Sequence, residues 1–134
     1  MSIWAYKYFI NILSSKEVLL LYKLMNFFKL LSDETRLRIL VLLYHKKLCV
    51  CELCGILEIS QPNISKHLAK LRDMQFVKDE RQEQFIFYSL NIEDKALKDI
   101  FQNIIDNIDK YPVLKSDIKK IKDAKKYLKS CKQL

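Results

Sequence analysis

One glycine and two prolines in 134 residues leave little turn chemistry for an all-β fold, so helices are expected. The two histidines, His45 and His67, are isolated, and no nucleophile lies at a recognisable spacing from either. Nothing here supports an enzyme mechanism. A long apolar run is missing as well. Lys7 interrupts the aromatic N-terminus, Met1 to Leu13, and no uncharged stretch reaches about 18 residues, so no membrane span is expected. There is no basic leader or small-residue cleavage site, and a cytoplasmic location is expected. Negative charge is scarce: 24 Lys and Arg face 16 Asp and Glu, a net charge of +8. That excess points to a polyanionic partner, most often nucleic acid, with a merely solvated basic surface as the alternative.

What is present is a globular balance, half hydrophobic and 30% charged, at a length that suits one domain with a real core. Three of the four cysteines, Cys49, Cys51 and Cys54, fall within six residues. Cysteines so spaced on one short helix are poor disulfide partners for one another. In a reducing compartment such a cluster more often holds metal or does redox chemistry than staples a fold.

Taken in order, Ile3, Trp4, Tyr6, Phe9, Ile10 and Leu13 line a short helix, and Ser14 and Glu17 make a capping box for the next. That second helix, about Lys16 to Leu30, carries Leu19, Leu20, Leu24, Phe27 and Phe28. This is more apolar surface than a small core needs, and a dimer interface and a plain core helix are equally good readings. Ser32-Asp33-Glu34 starts a third helix, with Ser32 as cap and two acids at the positive end of the dipole. Leu37, Leu40, Val41 and Tyr44 share its buried stripe. Arg36 and Arg38 lie off that stripe, available to phosphate or, more commonly, to solvent.

The cysteine stretch begins a fourth helix that reaches about Leu57. Ser60 caps the next, Pro62 fits its first turn, and Ile64, Leu68 and Leu71 face inward as far as about Met74. Two helices joined by a tight turn, the second short and basic, describe a helix-turn-helix. Phe76 to Arg81 and Gln84 to Leu90 read as two strands with a turn around Gln82-Glu83, the wing of a winged helix, with Arg81 and Gln82 at its tip. Asn91 caps a helix to about Lys110, in which Leu97, Ile100, Phe101, Ile104, Ile105 and Ile108 repeat at helical spacing. From Ser116 a last helix turns Ile118, Ile121 and Leu128 inward and presents a run of lysines outward. A solvated face is the default for that run, and added non-specific DNA affinity is the alternative. The fold class is therefore mainly α with a β-hairpin wing.

Free cysteines are usually small buried hydrophobes, but three within six residues argue for a site. On a continuous helix, at about 100° per residue, Cys51 and Cys54 lie about 60° apart while Cys49 points to nearly the opposite side. The three sulfurs converge only if the first turn is non-helical or unwinds. The helix start should also favour thiolate. Soft sulfur ligands select thiophilic ions, and three sulfurs suit a pyramidal ion such as As(III) or Sb(III). Structural zinc would need a fourth ligand, His45 or Cys131.

The runs Phe28 to Leu40 (FKLLSDETRLRIL), Leu48 to Cys54 (LCVCELC) and Ser60 to Arg72 (SQPNISKHLAKLR) resemble the ArsR/SmtB family of metal-responsive repressors, and the cysteine motif resembles its arsenic-sensing branch. The likeness covers roughly Phe27 to Leu90. Residues 1–48 hold no cysteine, unlike cadmium- and lead-sensing relatives, and Asp94 to Lys110 holds no histidine, unlike zinc-sensing ones. Met74-Gln75-Phe76 replaces a more usual Ala-Gly-Leu. The first two dozen residues precede the usual family start, which Met25-Asn26-Phe27 resembles.

The resemblance implies a homodimeric winged-helix repressor that leaves an inverted-repeat operator when As(III) or Sb(III), an inducer rather than a permanent cofactor, binds Cys49, Cys51 and Cys54. It divides the chain into an N-terminal extension with a dimerisation helix (1–26), a winged helix-turn-helix with a C-terminal dimerisation helix (27–110) and a basic tail helix (111–134). Ser60, Gln61, Pro62, Asn63, Ser65, Lys66, His67 and Lys70, with Arg81 and Gln82 on the wing, are the expected DNA contacts. The expected partners are duplex DNA and a second copy of the chain, with no membrane and no small organic ligand. A thiol-redox repressor of the same fold and a non-DNA, zinc-binding interaction module are the alternatives.

Overall fold

A computed structural model describes residues 2–12 and 15–131. Helix α1 (Ile3–Ile12) and helix α2 (Ser15–Leu31) come first; the Ser14 half of the expected capping box lies outside the described residues. α2 buries only Asn26, Phe27 and Leu30, all near its C-terminal end. Helix α3 (Glu34–His45) is capped by Asp33, not Ser32: the Asp33 carboxylate accepts from the Arg36 N–H at 3.0 Å. Ser32 instead donates its hydroxyl back to the Lys29 carbonyl.

The single stripe expected on α3 understates its burial. Ile39, Leu40, Val41 and Leu42 are wholly buried, whereas Tyr44 is 39% exposed. The helix is the central post of the domain, and other elements pack around its second half.

Strand β1 (Leu48–Cys49) precedes helix α4 (Val50–Leu57) and helix α5 (Gln61–Asp73). Strands β2 (Val77–Gln82) and β3 (Phe85–Leu90) form the hairpin, and β1 joins it to give an antiparallel sheet in the order β1-β3-β2. Leu48 pairs with Tyr88 and Cys49 with Phe87, so the cysteine run is hydrogen-bonded to the wing at its first residue.

Glycine scarcity shows at the corners. Glu58 after α4, Gln75 after α5 and Glu83 in the hairpin turn all take positive φ, at 56°, 66° and 58°. A side chain in that region costs about 1–2 kcal/mol. The lone glycine is not at a corner at all but inside α4.

Helix α6 (Lys95–Asp106) is capped by Asp94, whose Oδ1 accepts from the Leu97 N–H at 3.1 Å. Asn91, expected in that role, braces the Gln75 corner instead: its side-chain amide donates to the Gln75 carbonyl at 3.0 Å. The predicted run to Lys110 breaks at Asn107 and ends in a 3-10 turn, Ile108–Lys110. Helix α7 (Pro112–Lys119), a 3-10 segment (Ile121–Tyr127) and helix α8 (Leu128–Cys131) complete the chain. Leu114 and Ala124 from this stretch belong to the same core as α3 to α6. No described helix is long and apolar enough to cross a membrane.

Candidate functional site

Cys49 is not part of the helix. It is the residue before α4, extended at φ −91° and ψ 171°, and 2% exposed. Its N–H donates to Glu52 Oε1 at 3.2 Å, so a carboxylate itself only 2% exposed fastens the entry to α4. A glutamate three residues after a helix cap is the capping-box spacing, and this signal identifies Glu52 from sequence. Cys51 is 8% exposed and Cys54 half-buried, and on α4 they lie about 60° apart. The non-helical first turn considered from the spacing is therefore present, but the three sulfurs are not gathered. Among the described residues no group of three His, Cys, Asp or Glu is disposed to hold a metal ion. Cys49 and Cys54 are free thiols, and Cys51 is disulfide-bonded. The side chain of Cys131 lies outside the described residues.

The thiol chemistry reverses the expectation of easy ionisation. Burial pushes the Cys49 and Cys54 thiols above the ordinary range. At Cys49 the Glu52 N–H works against that rise and the Glu52 charge adds to it. The fields of a helix start fall off within one turn, and here desolvation outweighs them.

α4 ends at Leu57, and only Glu58, Ile59 and Ser60 separate it from α5. Ser60 is the α5 cap residue, extended at φ −62° and ψ 151°, and a proline follows in the first turn. Ile64, Leu68 and Leu71 are wholly buried, which sets the rotation of the helix. Ser60, Gln61, Pro62, Asn63, Ser65, Lys66 and Lys70 are consequently exposed. His67 is half-buried, and burial lowers its pKa more than the Asp33 carboxylate nearby raises it. The shift favours the neutral imidazole, and Asp33, Arg36 and Lys66 are the charges that act on it. Arg81 and Gln82 are exposed at the end of β2. Arg72 on α5 reaches Asp79 on β2 at 3.3 Å, tying the helix to the wing.

Arg36 and Arg38 are only partly solvated. Arg36 Nε donates to the Leu30 carbonyl at 3.2 Å, and Arg38 engages Asp117 through two bonds. Both arginines stitch the chain together, and this interior use was not expected from their position off the apolar stripe.

The profile described as "Bacterial regulatory protein, arsR family" matches residues 33–79, the span from the α3 cap to the first residues of β2. The chain is similar to an arsenic resistance transcriptional regulator, ArsR1, of Pseudomonas putida, with 48% identity over 67 residues covering 49% of this chain and 52% of that protein. It thus spans about half the length of that relative. It is also similar to an arsenical resistance operon repressor of Staphylococcus aureus, with 40% identity over 76 residues covering 57% of this chain and 71% of that protein. Among solved structures, reduced HlyU from Vibrio cholerae superposes with a TM-score of 0.58 at 31% identity, covering 68% of this chain and 94% of that one.

Proposed function

Because the chain belongs to the arsR family of bacterial regulatory proteins, we propose that it is a transcriptional repressor that binds an inverted-repeat operator and leaves it when As(III) or Sb(III) is bound by Cys49, Cys51 and Cys54. The observation that carries this reading is adjacency: the helix bearing Cys51 and Cys54 ends three residues before the helix whose open side is Gln61, Pro62, Asn63, Ser65 and Lys66. Gln and Asn suit adenine edges and Lys suits guanine. Once its disulfide is reduced, Cys51 pairs with Cys54 on α4, and Cys49, held just outside the helix by the bond from its N–H to Glu52, is the third sulfur to be drawn in. Deformation at that point lies one short helix away from the DNA-reading surface.

The operator-bound form is a homodimer in this reading. Leu19, Leu20, Leu21, Tyr22 and Met25 on α2 are 45–64% exposed, and an apolar cleft of about 280 Å³ lies between α2 and α6. A second copy covering that face brings two recognition helices to half-sites about 34 Å apart.

The test is operator binding by fluorescence anisotropy, titrated in parallel with arsenite, antimonite, cadmium and zinc under reducing conditions. Release by the first two and not by the last two is expected. Equal release by zinc would sink the arsenic assignment, and absence of salt-dependent DNA binding would favour a zinc-binding interaction module. One observation favours a second reading. Cys51 is disulfide-bonded, as a repressor answering to thiol oxidation requires. Peroxide titrated against arsenite on the same complex separates the two signals.

A further inference from the structure

The segment 112–131 docks against the cysteine helix and against α3. Three contacts fix its place. The Tyr127 ring lies directly over Gly55, so closely that a Cβ on the glycine would overlap it. Lys120 Nζ donates to the Ile56 carbonyl at 3.4 Å, near the C-terminal end of α4. Asp117, 2% exposed, receives the fork of Arg38, whose charge is also felt by Glu58 in the turn itself. Leu114 and Ala124 sit in the core beneath.

With Leu114, Asp117, Lys120 and Ala124 used for docking, the segment turns its other lysines outward. It carries seven lysines against two aspartates, and one of those, Asp117, is occupied by Arg38. Lys119, Lys122, Lys125 and Lys126 are all exposed and crowd one another at helical spacings. Such like-charge neighbours are unfavourable unless an anion answers them. They are carried on a segment docked against α4, the helix that leads through Glu58 to Ser60 into the exposed N-terminal residues of α5.

Resting on the DNA-binding reading above, we propose that segment 112–131 is a second DNA-contacting element, one that grips backbone phosphates flanking the half-site read by α5. The chemistry is that of duplex DNA as an unbroken line of charge, with one negative charge per about 1.7 Å of axis. Lysines there add affinity and register without reading bases. The basic tail extends the footprint outward from the recognition helix, on the side of α4.

The measurement is anisotropy of a fluorescein-labelled duplex of mixed sequence, repeated over a salt series with the full chain. The variant Lys119→Gln/Lys122→Gln/Lys125→Gln is compared with Lys7→Gln/Lys16→Gln/Lys98→Gln, which removes equal charge elsewhere. All six lysines are exposed, and circular dichroism checks that both variants keep the wild-type fold. The slope of log affinity against log salt should shrink by about two to three in the tail variant, at about 0.9 per phosphate contact, and by far less in the control. The single variant Lys122→Gln should shrink it by about one. Equal slopes in the two triple variants would overturn the proposal while leaving the repressor reading intact. No salt-dependent binding by the wild type would overturn both, and tail-dependent binding to acidic polypeptide but not to duplex would assign the surface to a protein partner instead.

Discussion

Arg38 and Asp117, 79 residues apart in sequence, are joined by a forked ion pair, with Nε and Nη2 of the arginine donating to the two carboxylate oxygens at 2.8 and 2.9 Å. The aspartate side chain is 2% exposed and the arginine 18%, so the pair is held largely away from water. It fastens α7 to the central helix of the domain. Removing one partner of a buried pair leaves the other uncompensated, at about 3–5 kcal/mol. Because Arg38 keeps some access to water and a second carboxylate, Glu34 at 3.7 Å, Asp117→Ala is expected near the lower end, at about 3 kcal/mol. Urea denaturation monitored by circular dichroism reads this, and a loss below about 1 kcal/mol would mean that the pair is ornamental. Arg38→Lys should not rescue, since an ammonium cannot make the fork.

Gly55→Ala gives a test with opposing signs. Inside a helix, glycine to alanine normally stabilises by about 1 kcal/mol. Here the added methyl meets the Tyr127 ring, so a net loss of stability is expected, together with faster proteolysis in the 121–131 stretch. Tyr127→Ala in the same chain should restore the usual gain. If Gly55→Ala alone is stabilising, the tail is not docked on α4 in solution.

Cys51→Ser should keep operator binding and lose release by arsenite. Release of this variant at the wild-type arsenite concentration would refute the ligand assignment. Cys49 is the more conditional ligand because its backbone is committed to the Glu52 bond and to β3. An X-ray absorption spectrum of the arsenic complex with only two sulfur neighbours would remove it.

The raised thiols of Cys49 and Cys54 make stability depend on alkaline pH. Burial favours their neutral forms in the folded chain. Their contribution is therefore complete below the ordinary thiol range, about 8.5, and is lost as pH climbs through the higher folded values. The denaturation midpoint should fall above that range. The fall should be shallower in Cys49→Ala/Cys54→Ala, and an unchanged pH profile in that variant would show that the thiols are not desolvated.

Gln75→Gly should stabilise by up to about 1 kcal/mol. Relief of the left-handed backbone, about 1–2 kcal/mol, exceeds the extra entropy of a glycine in the unfolded chain. The gain is smaller if the bond from Asn91 to the Gln75 carbonyl loosens as well, and thermal melting of the variant and of Asn91→Ala separates the two contributions.

Local signals were the legible ones. The Ser60 cap position (though its side chain makes no cap bond), the Pro62 first turn and the inward row of Ile64, Leu68 and Leu71 stand where the sequence puts them, because each depends on neighbours within a turn or two. The hairpin was equally readable from its aromatic and β-branched runs, although its turn lies at Glu83 and Gln84, one residue later than expected. What sequence reading missed depends on distant partners. Arg38 looks solvated until Asp117 is brought to it, and the α3 stripe looks narrow until the other elements close around the helix. The thiol expectation failed for the same reason: desolvation comes from residues far along the chain. One overlooked sign was local. An isolated glycine inside a helical pattern costs about 1 kcal/mol against alanine and asks for a local reason, and Gly55 is the only glycine in the chain.

The buried Glu52 carboxylate, bonded to the Cys49 N–H, gives the cysteine site proposed above a threshold. Where gathering three sulfurs shifts the Cys49 backbone, that bond is lost, and stranding a buried polar group costs about 1–3 kcal/mol. Since about 1.4 kcal/mol is a factor of ten in concentration, a cost in that range raises the inducer level needed for response by roughly five- to 150-fold. Traces of thiophilic metal would then pass unanswered. In this reading Glu52 tunes the sensitivity of the sensor, while the sulfurs alone define what it senses.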